Sequence, residues 1–131
     1  MNYISTRGKI QPSDGVQSAD AIKQGLAPDG GLFLPETIPQ IGKYDLVKLT
    51  GMSYAQRAAF LMGKFLTDYD PAQLLADCTA AYHQASFPGG AAPLYPLNDT
   101  SEILELWHGP TCAFKDMALQ IMPRLLSRAL Q

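Results

Sequence analysis

"WHGPTCAFKD", Trp107 to Asp116, is the stretch on which the reading of this chain turns. A lysine stands between an aromatic residue and an acid, shortly after a Gly-Pro pair, with apolar sequence on both sides. Upstream, Ile103 to Trp107 has the β-branched and aromatic content of a strand. Downstream, Phe114, Met117, Ala118, Ile121, Met122, Leu125, Leu126, Ala129 and Leu130 recur at helical spacing. The order predicted is therefore strand, Gly-Pro-Thr turn, and a helix opening near Lys115. That helix is apolar over most of its circumference, with Gln120, Arg124, Ser127, Arg128 and Gln131 as a narrow polar strip. Such a helix is normally covered on most sides. Pro123, inside it, removes a hydrogen bond to Leu119 and bends the axis.

The start of a helix is a poor place for an ordinary lysine. Helix N-termini carry partial positive charge and favour acids, and burial disfavours the ammonium form. Both effects favour the neutral amine, the species that attacks a carbonyl to form a Schiff base. A carbonyl-bearing cofactor such as pyridoxal phosphate is the ligand this chemistry suggests. Asp116 opposes the effect, because a nearby carboxylate favours the charged amine, unless it serves the helix end instead. On spacing alone, a solvated lysine beside a helix cap is the commoner arrangement. The remaining candidates are weaker. His108 reads as a loop histidine held by packing rather than an acid–base group. Cys112 reads as a small buried hydrophobe, Trp107 as core, and His83 as a surface or core-edge residue. Arg7 suits either an anion or a loop salt bridge. Gly89-Gly90 lacks the strand and helix that a phosphate cradle needs.

The rest of the chain supplies the scaffold. Residues 2 to 8 read as a short strand leading into a loop. "QSADAIKQG" reads as a short helix with Ser18 as N-cap, Asp20 in its first turn and Gly25 just past its end. Pro28 to Gly31 is turn chemistry, Gly31 to Leu34 a strand closed by Pro35, and the stretch from there to about Leu49 mostly loop. Ser53 caps a helix reaching about Leu66, with Ala55, Ala58, Ala59, Met62, Phe65 and Leu66 on one face. Asp70-Pro71 opens another, with Leu74, Leu75, Cys78, Ala81, Tyr82 and Ala85 as its stripe and "FPGGAAP" as the connector beyond. Leu94 to Leu97 reads as a short strand.

Composition narrows the function classes. With 131 residues, 47% of them apolar and 17% charged, the chain is long enough for one packed domain. It has 10 basic and 12 acidic side chains and no basic cluster, which argues against a nucleic-acid partner. No membrane span and no signal peptide is predicted. The two cysteines are expected to be free thiols in a reducing cytoplasm, and the two histidines do not combine with them into a metal set.

Three ordered motifs carry a resemblance. "YISTRG" (Tyr3 to Gly8), "GLAPDGGLFLPE" (Gly25 to Glu36) and "ELWHGPTCAFKDMALQ" (Glu105 to Gln120), with "MSYAQRA" (Met52 to Ala58) between them, resemble the threonine synthase family along essentially the whole chain. The resemblance implies an α+β fold: the N-terminal domain of that family (residues 1–100, helices with a small β-sheet), then the first strand and helix of a fold type II, tryptophan-synthase-β-like catalytic core (residues 101–131). It implies a pyridoxal 5'-phosphate lyase that converts O-phosphohomoserine and water to threonine and phosphate. Lys115 would be both the cofactor-binding and the catalytic lysine, with Phe114, Asp116 and His108 as positioning neighbours and the STRG segment nearby. Trp107 and Cys112 depart from the family pattern without touching the lysine. The family enzyme is several times longer, so the chain is expected to be its N-terminal fragment, inactive alone, with the phosphate cup and most substrate contacts lying elsewhere. Self-association through the last helix is expected, and the place of action is the cytoplasm. Two alternatives stand: a threonine-synthase-like phospho-lyase, and an interaction module that kept the N-terminal domain without catalysis.

Overall fold

Capping chemistry and glycine turns divide the chain into short elements. In the computed structural model, which describes every residue apart from the side chain of Pro12, the order is β1 (Tyr3–Ser5), a 3-10 turn (Pro12–Asp14), α1 (Ser18–Gln24), β2 (Phe33–Pro35), α2 (Lys43–Thr50), α3 (Tyr54–Phe65), α4 (Pro71–Ala81), β3 (Leu94–Asn98), β4 (Ser101–Leu104), α5 (Asp116–Leu119) and α6 (Met122–Ala129). The fold is α+β. Helices form the bulk, and each sheet is a two-stranded antiparallel pair, β1 with β2 and β3 with β4.

Both helix starts read from local signals are present. Ser53 Oγ accepts the Gln56 amide at 3.3 Å, and Gln56 Oε1 accepts the Ser53 amide at 2.9 Å, a reciprocal box that opens α3. Asp70 Oδ1 accepts the Gln73 amide at 2.8 Å, and Pro71 occupies the first helical position of α4. The two helices pack together through their apolar stripes. Leu74, Cys78 and Ala81 of α4 form the core with Ile121 and Leu125, flanked by Ala55, Ala58, Ala59 and Met62 of α3. Leu74 is 2% exposed, so its burial alone contributes about 2 kcal/mol.

The structure corrects several expectations. Ser18 is not the N-cap of α1; Gln17 is, without a side-chain cap bond. The Ser18 hydroxyl donates to Asp68 instead, and Asp68 Oδ2 accepts the Ala19 amide at 2.8 Å. A carboxylate from the α3–α4 connector thus satisfies the helix end, a tertiary cap that local sequence does not announce. The stretch before Leu49, expected as loop, holds α2. Asp45 Oδ2 accepts the Gly42 amide at 3.1 Å at its start, and that bond first of all holds the Asp45 carboxyl below its usual range. Tyr44, Leu46 and Val47 of α2 are exposed, so its apolar residues form no core-facing stripe of the kind by which helices are recognised. Helix α4 stops at Ala81 rather than reaching Ala85, where His83 Nδ1 accepts the Ser86 amide at 3.1 Å and closes a turn. Leu75, expected in the α4 stripe, is exposed.

The first β pair is fastened by its turn. Asp29 Oδ1 accepts from the Ser5 hydroxyl at 2.7 Å and from the Gly31 amide at 2.9 Å, and Asp29 Oδ2 accepts the Lys9 amide at 3.3 Å. The Ser5 bond is the main cause of the lowered Asp29 carboxyl pKa. A Cβ at Gly31 would overlap the Ser5 hydroxyl, so only glycine fits there. The second pair is a hairpin closed at Asp99-Thr100, where Asn98 Oδ1 accepts the Thr100 amide at 3.0 Å. This turn sets β4 earlier than the Ile103 to Trp107 expected. All residues of both strands are exposed.

Candidate functional site

The chain from Glu105 to Leu119 builds the site around Lys115. Gly109 and Asp116 meet first. Asp116 is fully buried, and a Cβ at Gly109 would collide with its side chain. Asp116 Oδ2 accepts the Thr111 amide at 2.8 Å, and the Thr111 hydroxyl donates at 3.0 Å to both carboxylate oxygens. The Cys112 amide donates to the Gly109 carbonyl at 3.1 Å, closing a tight turn whose last residue has φ of +57°. That left-handed backbone costs a non-glycine residue about 1 kcal/mol, and the Asp116 bonds hold the turn in place.

Lys115 immediately precedes this carboxylate, at the N-cap of α5. The expected burial is absent: the lysine is exposed. The expected long helix is absent too. It divides at Gln120–Ile121 into α5, of 4 residues, and α6, of 8. Pro123 accounts for the division, since it has no amide to donate to Leu119. The two arguments for a neutral amine, burial and a strong helix end, are therefore not carried by this arrangement. What the structure shows instead is an accessible primary amine without an ion pair or hydrogen bond among the described residues. Asp116, the acid next to it in sequence, is engaged with Thr111.

The neighbours occupy distinct places. His108 Nε2 lies 2.6 Å from Glu105 Oε2, and the His108 ring stacks on Trp107 with centroids 5.5 Å apart. The ring also presses on Gly89, where a Cβ would overlap it, so this loop anchors the lysine turn to the connector after α4. Phe114 is exposed, as is Trp107, which was expected in the core. Cys112 is exposed rather than buried. Arg7 lies over the Gly30 turn and forms no salt bridge among the described residues. His83 is exposed. Thr111, Gly109 and Glu105 were not singled out from the sequence; the only signal for them is their place inside one motif. No cluster of three or more His, Cys, Asp or Glu is placed to hold a metal ion among the described residues.

The two thiols sit in opposite environments. Cys78 has no exposed surface, and burial, more than the neighbouring Asp77 charge, pushes its thiol up to about 11. A thiol-reactive probe at pH 8 is expected to label Cys112 fully while Cys78 stays protected until the protein is unfolded. The check is a peptide-resolved mass measurement before and after denaturant.

A family model described as "Threonine synthase N terminus" matches residues 2–82. The chain is 38% identical to threonine synthase from Pseudomonas aeruginosa over 135 residues, covering 99% of this chain and 27% of that protein. It is 34% identical to human threonine synthase-like 1 over 137 residues, covering 98% of this chain and 18% of that one. Among solved structures, the crystal structure of PLP-bound threonine synthase from Brucella melitensis superposes with a TM-score of 0.88 at 35% identity, over 99% of this chain and 27% of that one. Threonine synthase from yeast superposes at 0.83 and 35% identity, over 98% and 26%. The chain thus spans about a quarter of the length of the threonine synthases it matches.

Proposed function

Because this chain belongs to the threonine synthase N-terminus family, we propose that it forms the N-terminal part of an enzyme converting O-phosphohomoserine and water to threonine and phosphate. In this reading residues 1–100 are the N-terminal domain, and residues 101–131 begin the catalytic core. The cofactor is pyridoxal phosphate and the place of action the cytoplasm; no helix is long and apolar enough to cross a membrane among the described residues. Nucleic acid is not a partner in this reading. Self-association uses the last helix, where Met122 and the Leu130 that follows it are exposed.

One observation carries the reading: the accessible amine of Lys115, unpaired, beside a carboxylate already committed to Thr111. This donor chemistry fits a carbonyl cofactor, because an accessible primary amine with no ion partner can condense with it once it has given up its proton. When bound, pyridoxal phosphate supplies an electron sink for negative charge developing on the substrate. Lys115 Nζ is the group of this chain that would hold the cofactor and then carry protons to and from the substrate. Asp116 and Thr111 fix the backbone on either side of the turn, so the amine leaves from a defined point. Glu105 and His108 brace the same loop from the strand side.

Trapping tests the assignment. Borohydride reduction of the longer polypeptide carrying this segment, with pyridoxal phosphate present, is expected to leave one adduct, on the peptide containing Lys115. An adduct elsewhere, or none, overturns the assignment. Turnover belongs to the longer polypeptide in this reading, and the isolated 131-residue chain is expected to be inactive. Threonine synthase-like proteins match at similar identity, so phospho-lyase activity is a second reading. Following threonine against 2-oxobutyrate separates the two.

A further inference from the structure

The backbone of α5 leaves two carbonyls without their helical donors: Leu119, which Pro123 cannot serve, and Met117. In a continuous helix the Met117 carbonyl would accept the amide of Ile121. Here the Ile121 amide donates to Ala118 at 3.2 Å, because the chain is dividing before Pro123. Buried backbone carbonyls need a partner. The Met117 carbonyl finds it outside its own segment: the Tyr82 hydroxyl donates to it at 2.8 Å. Tyr82 is the C-cap residue of α4. Its ring is set edge-on to Tyr54, with centroids 5.1 Å apart and planes at 77°, and it leans on the buried Phe87 at 5.9 Å. A phenol held on two sides by aromatic rings has little freedom, so the carbonyl it holds has little either.

We infer that Tyr82 is a positioning residue for Lys115: its hydroxyl replaces the helical hydrogen bond that the Met117 carbonyl loses at the break and fixes the lysine-bearing turn onto the α3–α4 pair. The inference rests on the reading of Lys115 as the cofactor lysine. Met117 follows Lys115 closely, and the Leu119 amide of the same turn donates to the Lys115 carbonyl at 2.9 Å. The Tyr82 bond therefore acts on the turn from which the amine projects. Burial pushes the Tyr82 phenol above its ordinary value of 10.0, which keeps it a donor across the working pH range. A second bond of the same kind serves as an internal control. The Tyr69 hydroxyl donates to the Leu125 carbonyl at 3.0 Å, on α6 and farther from the lysine.

The experiment compares Tyr82→Phe with Tyr69→Phe in the longer, cofactor-loaded enzyme. Each change removes one hydroxyl and keeps the ring. For Tyr82→Phe, amide hydrogen exchange is expected to quicken about fivefold in residues 116–121 and to stay unchanged in α3. kcat is expected to fall about fivefold with KM unchanged, and the pH profile of cofactor absorbance to move. Tyr69→Phe is expected to loosen α6 and leave kcat and that profile alone. Unchanged exchange at 116–121 overturns the inference whatever the activity. Exchange that quickens throughout the protein, or an equal loss of kcat in both variants, also overturns it by making Tyr82 an ordinary core residue. Selective loosening with unchanged kcat overturns the positioning role. The exchange comparison is repeated on the enzyme stripped of cofactor, so a failure of the Lys115 assignment shows separately, in the borohydride adduct.

Discussion

Gly109→Ala is expected to destabilise the protein by about 2–4 kcal/mol, whereas Gly63→Ala is expected to stabilise it by up to about 1 kcal/mol. Both changes add one methyl group; their surroundings decide the sign. At Gly109 the new Cβ would overlap Asp116 Cβ, Cγ and Oδ2, and Asp116 is fully buried. The carboxylate has no free space to move into, and moving it gives up the bonds from Thr111 at 2.8 and 3.0 Å. A buried carboxylate stripped of its donors is costly in its own right. At Gly63, inside α3, the new Cβ meets only the Leu74 side chain at 3.8 Å, an ordinary contact. There the substitution gains helix propensity at no steric cost. Thermal or denaturant unfolding of both variants checks the pair. Equal effects would mean that the Gly109–Asp116 contact does not constrain the turn.

That contact also shows how the sequence informs and where it stops. The helix starts at Ser53 and Asp70 were legible because the capping groups lie within three residues of the amides they satisfy. The β1–β2 turn was legible because Pro28 to Gly31 carries its own geometry. The Ser18 and α2 expectations failed for a common reason. Asp68 reaches α1 from a distant connector, and Tyr44, Leu46 and Val47 of α2 stay exposed, so no core contact imposes a period on its apolar residues. The lysine motif was legible as a motif. Its electrostatic rationale was not, because exposure depends on neighbours that spacing does not name. Asp116 looked from the sequence like a competitor for the amine or a helix-end acid. The structure gives it to Thr111 instead, and sequence proximity alone did not indicate that. Tyr82 was visible only as one more apolar position on α4, although its hydroxyl completes the backbone of α5.

Replacing Lys115 is expected to have the largest functional effect, and the choice of replacement separates two roles. Lys115→Ala in the longer enzyme removes both the amine and the charge. Lys115→Arg keeps a cation of similar reach, but guanidinium stays protonated and does not condense with a carbonyl. If the lysine acts as a nucleophilic amine and proton carrier, both variants lose turnover by about 10³-fold or more. If it acts only as a cation, the arginine variant retains most of the activity. Folding is not expected to confuse the result. Folding is checked on the 131-residue chain, where the side chain is exposed and no ion pair or hydrogen bond ties it to the described residues, so neither change opens a cavity or orphans a buried partner there. Unfolding free energies of the 131-residue variants within about 0.5 kcal/mol of the unchanged chain would confirm that the scaffold was not altered. An arginine variant with near-parent turnover would sink the Schiff-base role of Lys115 even with the fold and family unchanged. Loss in both variants at unchanged stability would place the chemistry on the neutral amine, held by a turn that Asp116, Thr111 and Gly109 lock from within.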